Sequence, residues 1–175
     1  MCSAFSHAVV PVALSVFFPG EAISWDLVLV GALCAVIPDL DVIGFAFGVR
    51  YGAVLGHRGF THSIVFAALL AALATAFWVQ GTAAFFSVFL FLFLSTLSHP
   101  ILDAFTDGGL GVALFAPFRN ERCFFPKRPI AVPPIGIAAF FSAKGWRVMK
   151  SEFRWIWLPA IVLMALEHML KAVFP

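Results

Sequence analysis

Seven side chains in the first 103 residues have the types and spacings that hold metal ions: His7, Asp39, Asp41, His57, His62, His99 and Asp103. His99 and Asp103 are four residues apart, so on a helix they project from one face, as two ligands to one ion must. Asp39 and Asp41 flank a single leucine directly after Pro38, whose missing backbone donor favours a kink or unwinding that can turn both carboxylates into a common cavity. In His57-Arg58-Gly59-Phe60-Thr61-His62, Gly59 permits a tight turn and Thr61 is placed to cap a following helix. One histidine then lies in the loop and the other in the first turn. Mixed imidazole and carboxylate ligands suit zinc, manganese or iron better than calcium or magnesium. Seven candidates exceed the needs of one tetrahedral ion, so one or two divalent transition-metal ions are expected, zinc first, with a bridging aspartate in the two-ion case. Two ions suit phosphoester hydrolysis, where they clamp the attacking and leaving oxygens. Guanidinium groups meet phosphate bidentately, which makes Arg58, Arg119 and Arg122 the candidate substrate-binding cations. The expected catalytic roles are Arg58 as phosphate clamp and Asp41 or Asp103 as general base.

The elements that must position these residues belong in lipid. Of 175 residues 62% are hydrophobic and only 11% charged, far from the roughly 25% charged of soluble domains. Segments 3–18, 27–47, 61–79, 83–105 and 155–174 approach the length of about 20 apolar residues that spans a bilayer. The expected architecture is therefore an all-α membrane bundle of five transmembrane helices, forming one domain over 1–175 without linker or repeat. Pro19-Gly20 and Gln80-Gly81 are turn signals between segments. A long loop, 107–154, precedes the last span, and within it the apolar, proline-bearing stretch 129–141 is expected to be re-entrant or interfacial. The 22 phenylalanines read as core and lipid-facing surface. Three cysteines without CxxC spacing point to neither a disulfide framework nor a thiolate zinc site. The N-terminal segment has no Lys or Arg before its apolar run and no clear cleavage site, so it is expected to remain as a membrane helix.

Cytoplasmic loops are enriched in Lys and Arg. Arg50 and Arg58 lie in the loop 48–60, and Arg119, Arg122, Lys127, Arg128, Lys144, Arg147, Lys150 and Arg154 in the loop 107–154, while the alternate connections have neither residue type. The N-terminus is thus expected inside and the C-terminus on the periplasmic or extracellular side. In this topology, derived without them, all seven candidate ligands fall in one cytoplasmic layer. Ionisable groups in membrane segments are costly and mark function, and a cation would offset the cost of gathering four imidazoles and three carboxylates at low dielectric. His168, with Glu167 and Lys171, falls in the opposite layer and reads as a snorkelling cluster. The net charge of +2 is too small to suggest nucleic acid as a partner.

The ordered motifs Pro38-Asp39-Leu40-Asp41, His57-Arg58-Gly59-Phe60-Thr61-His62-Ser63 and Ser98-His99-Pro100-Ile101-Leu102-Asp103-Ala104-Phe105-Thr106, with His7 before them, resemble the YdjM-like family of bacterial inner-membrane proteins, described as metal-dependent hydrolases. The resemblance covers about the first two-thirds of the chain. It implies metal ligation by the seven residues above, hydrolase activity, and residence in the inner (cytoplasmic) membrane. The pattern is also loosely similar to zinc-dependent phospholipase C and P1-type nucleases, which favours a phosphoester. The expected function is hydrolysis of a phosphorylated substrate, a phospholipid or lipid phosphate from the surrounding bilayer, at the cytoplasmic face. The alternatives are a metal or proton transporter, a haem protein with paired histidines, and a non-catalytic protein with a structural metal. A transport pathway needs polar groups through both halves of the membrane, and the outer halves here are nearly all apolar.

Overall fold

Polar residues at segment boundaries set where the helices begin. In the computed structural model, which describes residues 2–18, 23–79, 84–133 and 142–174, the side chain of Ser3 caps the first helix, α1 (Ala4–Ser15). Ser24 does the same for α2 (Trp25–Val36), where Asp26 in the first turn complements the positive end of the helix dipole. The chain then tightens into a 3-10 helix, Ile37–Phe47, with Pro38 in its first turn. Eleven residues is long for this geometry. The winding narrows after Pro38 but does not break, and the composite helix Trp25–Phe47 stays continuous for 23 residues.

A loop and one 3-10 turn (Phe60–His62) lead into α3 (Ile64–Trp78). Its N-cap is Ser63, whose Oγ accepts from the Phe66 amide at 3.0 Å. Thr61, the expected cap, instead donates to Asp41 Oδ2 at 2.6 Å, and His62 lies in the 3-10 turn ahead of the helix. The longest uninterrupted α-helix, α4 (Phe85–Ala104), carries His99 and Asp103 near its C-terminal end. The last helical run comprises α5 (Ala143–Glu152), a π turn (Phe153–Trp157) and α6 (Leu158–Val173). It starts well ahead of the expected residue 155, so Lys144, Arg147, Lys150 and Arg154 sit on helix and not in loop. Charge does not prevent helix formation when one face is buried, and Gly145, Val148 and Glu152 supply that face on α5.

The described residues are thus all-helical apart from two isolated bridges, Thr106 to Ile130 and Val112 to Cys123, which fold the 106–130 segment back on itself. Among the described residues three helices are long and apolar enough to cross a bilayer: Trp25–Phe47, Phe85–Ala104 and Ala143–Val173. The other two apolar helices, Ala4–Ser15 and Ile64–Trp78, have 12 and 15 residues; at 1.5 Å per residue they rise about 18 and 22 Å, short of the roughly 30 Å hydrocarbon core. The turn signals at 19–20 and 80–81, and most of the expected re-entrant stretch 129–141, lie outside the described residues. Ile130, within that stretch, is buried and bridged to Thr106.

Small residues let the helices approach. Ala67, Ala71 and Thr75 are the buried face of α3, which packs on α4, and Gly31 of α2 lies against Phe91 and Ser95 of α4. A methyl group at Gly31 would stand 2.8 Å from Phe91 Cε1, so only glycine allows this approach. Leu27, Val28, Cys34, Val88, Phe91 and Leu92 fill the core between them. Outside it Trp25, Leu33, Phe77, Phe86, Met169 and many other apolar side chains are exposed. A soluble monomer rarely shows so extensive an apolar surface; on these helices it is the lipid-facing one.

Candidate metal centre

The C-terminal ends of the α2 composite helix and α4, the start of α1 and the entrance to α3 meet at one end of the bundle. They bring all seven candidate ligands together. His62 and His99 approach Nε2 to Nε2 at 3.0 Å. Asp39 Oδ1 stands 3.3 Å from His99 Nε2 and 3.6 Å from His62 Nε2, and Asp103 Oδ2 is 3.7 Å from His62 Nε2. His7 stacks on His99 with ring centroids 3.7 Å apart, and its Nε2 is 3.7 Å from Asp103 Oδ1. His7, His62, His99 and Asp103 have no exposed surface at all.

The remaining hydrogen bonds determine which nitrogens are available. His99 Nδ1 lies 2.7 Å from the Ala35 carbonyl. A carbonyl only accepts, so Nδ1 carries the proton and the Nε2 lone pair points into the cluster. His62 Nδ1 faces Asp41 Oδ2 at 3.2 Å and the Thr61 hydroxyl at 3.0 Å, which selects the same tautomer. Two imidazole lone pairs and a carboxylate oxygen thus converge on one point. That is the arrangement a bound cation would share. Tetrahedral zinc with bonds of about 2.0–2.2 Å would separate its ligand atoms by about 3.3–3.6 Å; the Asp39 oxygen stands at that spacing from both histidines, while the two Nε2 atoms are closer, at 3.0 Å, and Asp103 Oδ2 is slightly farther from His62, at 3.7 Å. Asp39, His62, His99 and Asp103 each offer an atom within 4.8 Å of the others. Both Asp39 oxygens and both His7 nitrogens are buried without a hydrogen bond of normal geometry, and buried polar groups of this kind call for a partner.

Asp41 surrounds itself with donors. Its Oδ1 takes His57 Nδ1 at 2.7 Å, and its Oδ2 takes the Arg58 amide at 3.2 Å and Thr61 Oγ1. It therefore orients His57 and His62, as carboxylates behind metal-binding histidines do, while Asp41, His57 and His62 also form a candidate ligand group of their own.

The arginines differ from the free phosphate clamps that their sequence positions imply. Arg58 is fully buried: Nε pairs with Asp103 Oδ2 at 3.0 Å, and the terminal nitrogens donate to the Gly108 carbonyl and Thr106 Oγ1. Arg122 donates to the carbonyls of His57, Tyr51 and Ala53, stapling the loop that carries His57. Partial burial pushes its guanidinium below the ordinary value, against the pull of Tyr51 and Asp41. Arg119 is exposed. It borders a groove of about 430 Å³ with Ile64, Val65, Leu114, Phe115 and Phe118, and this groove begins two residues beyond His62.

The histidine loop is tightly built. Arg58 has φ 62°, a left-handed conformation that costs a non-glycine residue about 1–3 kcal/mol and is typical of functional sites. A methyl group on Gly59 would lie 2.1 Å from the Val54 carbonyl oxygen, and one on Gly56 2.1 Å from that of Arg50. Gly59→Ala should therefore displace His57 and His62 and lower metal affinity at least tenfold, measurable by competition with a chromophoric chelator; unchanged affinity would show that the loop does not set the ligand geometry.

Two further participants escaped sequence reasoning. Cys2 is fully buried, its amide donates to Asp103 Oδ1 at 2.8 Å, and with His7 and Asp103 it forms a third candidate ligand group. Glu152, 1% exposed, binds the first turn of α1. Neither has a spacing signal: the Cys2 amide meets Asp103 across 101 residues and Glu152 meets Ser3 across 149. His168 takes no part; Lys171 pairs with Glu167 and donates to the Val16 carbonyl at the opposite end of α1.

The chain matches the profile described as YdjM inner membrane protein over residues 1–173. It is 39% identical over 169 residues to inner membrane protein YbcI of Escherichia coli (strain K12), an alignment covering 95% of this chain and 96% of that relative. No solved structure matches it.

Proposed function

We infer that this chain, which belongs to the YdjM inner membrane protein family, is a metal-dependent hydrolase acting on a phosphorylated lipid at the cytoplasmic face of the inner membrane. The observation that carries this reading is the convergence of the His62 and His99 Nε2 lone pairs with Asp39 Oδ1. Asp39, His62, His99 and Asp103 would hold a divalent transition metal, zinc by preference, with His7 and Cys2 beside them. Bound there, the metal would supply Lewis-acid polarisation of a phosphoryl oxygen and a nucleophile at neutral pH.

The chain's own residues do the rest. Ala35 and Asp41 fix the tautomers of His99 and His62. Asp41 holds His57 through Nδ1, which leaves His57 Nε2 to take and return a proton, the role of a histidine backed by a carboxylate. Arg58 pairs with Asp103 Oδ2 and holds it in place, so it acts as a positioning residue. Arg119, at the mouth of the apolar groove, is the cation free to meet the phosphate while Phe115 and Phe118 cover an acyl chain. The N-terminus lies inside and the C-terminus outside, on the distribution of Lys and Arg.

The test is release of inorganic phosphate or of the headgroup from lipid phosphates and phospholipids in mixed micelles, with zinc and with manganese. Wild type should turn over at least one of them, and His57→Ala should lower kcat about 10²–10⁴-fold while metal stays bound. Arg119→Ala should raise KM chiefly. Metal-loaded protein that cleaves none of these substrates, yet unfolds on chelation, would make the metal structural and overturn the hydrolase reading.

A further inference from the structure

Glu152 is a buried carboxylate distant in sequence from the motifs. It accepts from the Ser3 amide at 2.6 Å, from Ser3 Oγ, and from Ser6 Oγ at 2.7 Å. Ser6 Oγ in turn accepts from Trp157 Nε1 at 2.9 Å. Glu152 and Trp157 are five residues apart. At 3.6 residues per turn, side chains five apart diverge by about 140° and would not meet on one hydroxyl. The intervening segment Phe153–Trp157 is a π turn, with the Leu158 amide bonded to the Phe153 carbonyl. An i to i+5 turn brings residues five apart over one another, and such turns concentrate at functional sites.

We propose that Glu152 and Trp157, set side by side by this π turn, form a clamp on the first turn of α1 that positions His7 for the metal centre. The serines they grip flank the residues that matter. Cys2, before Ser3, gives its amide to Asp103, and His7, after Ser6, lays its ring on His99. Neither His7 nitrogen has a hydrogen bond of normal geometry, so ring stacking and the backbone beneath it set its place. Three donors on one buried carboxylate is a strong anchor for that backbone. The last helical run thereby becomes part of the metal centre without contributing a ligand.

The inference rests on the metal-centre reading above, and cobalt(II) titration of the detergent-purified full chain separates the two. Wild type should bind cobalt with visible bands. Glu152→Ala should weaken binding about 10–100-fold, the usual effect of losing a residue that orients a ligand, and should change the bands. Glu152→Gln, which keeps one acceptor, should fall between them, and Trp157→Phe should weaken binding several-fold. Thermal unfolding without metal controls for general destabilisation, and Glu152→Gln carries the test if the alanine variant does not fold. Wild-type affinity and bands in the Glu152 variants, even with a lowered Tm, would overturn the clamp and leave the centre intact. Absence of cobalt from wild type would remove the centre and the clamp together.

Discussion

Zinc at a free concentration a hundredfold above its Kd is expected to stabilise the protein by about 2.7 kcal/mol, because a ligand that binds only the folded state adds RT ln(1 + [L]/Kd). His62→Ala and His99→Ala should each abolish that gain. The cause lies in the 3.0 Å approach of their Nε2 atoms beside Asp39: without a cation three electron-rich atoms face one another, and with one they become its ligands. Either substitution also removes a buried ring and its hydrogen bonds, so the variants without metal should unfold earlier than metal-free wild type. Differential scanning fluorimetry with and without zinc reads both effects. A zinc-dependent rise in Tm that survives in both variants would locate the binding elsewhere.

Arg58→Ala should have the largest effect on folding itself. Its guanidinium pairs with Asp103 where neither side chain has exposed surface, and breaking such a buried pair by removing one partner costs about 3–5 kcal/mol. The bonds to Gly108 and Thr106 are lost with it, which loosens the turn after α4. Arg58→Lys should recover part of the stability, because an ammonium restores the charge but not three directed donors. Chemical denaturation in mixed micelles would show this; a loss under 1 kcal/mol for the alanine variant would mean that Arg58 is dispensable to the fold around the site.

The site was legible where ligands share a local spacing or a common depth. His99 and Asp103 are one turn apart on α4. The others share one layer in the topology that the distribution of Lys and Arg leads one to expect, and helix ends are where a chain can gather polar groups from four segments. What the sequence concealed is long-range. Cys2 and Glu152 have nothing in their own neighbourhoods to betray them, because their partners are Asp103 and Ser3. The burial of Arg58 was hidden for the same reason: a cation in a loop reads as exposed until Thr106 and Gly108 are seen to wrap it.

The all-helical membrane fold followed from composition, while helix ends were harder. Thr61 and Ser63 are both competent caps, and the choice fell to Ser63 because Asp41 claims Thr61. Charges at Lys144, Arg147 and Lys150 read as loop, although Val148 and Glu152 bury one face of a regular helix there. Pro38 read as a kink or unwinding, but the chain tightened into a 3-10 helix with no break.

The most direct test of the metal centre is elemental analysis by mass spectrometry of the detergent-purified chain beside an Asp39→Ala, His99→Ala double variant of equal folded yield. Near-stoichiometric zinc, manganese or iron in wild type, gone from the variant, is the expected result. No metal in either protein, even after reconstitution, would contradict the account.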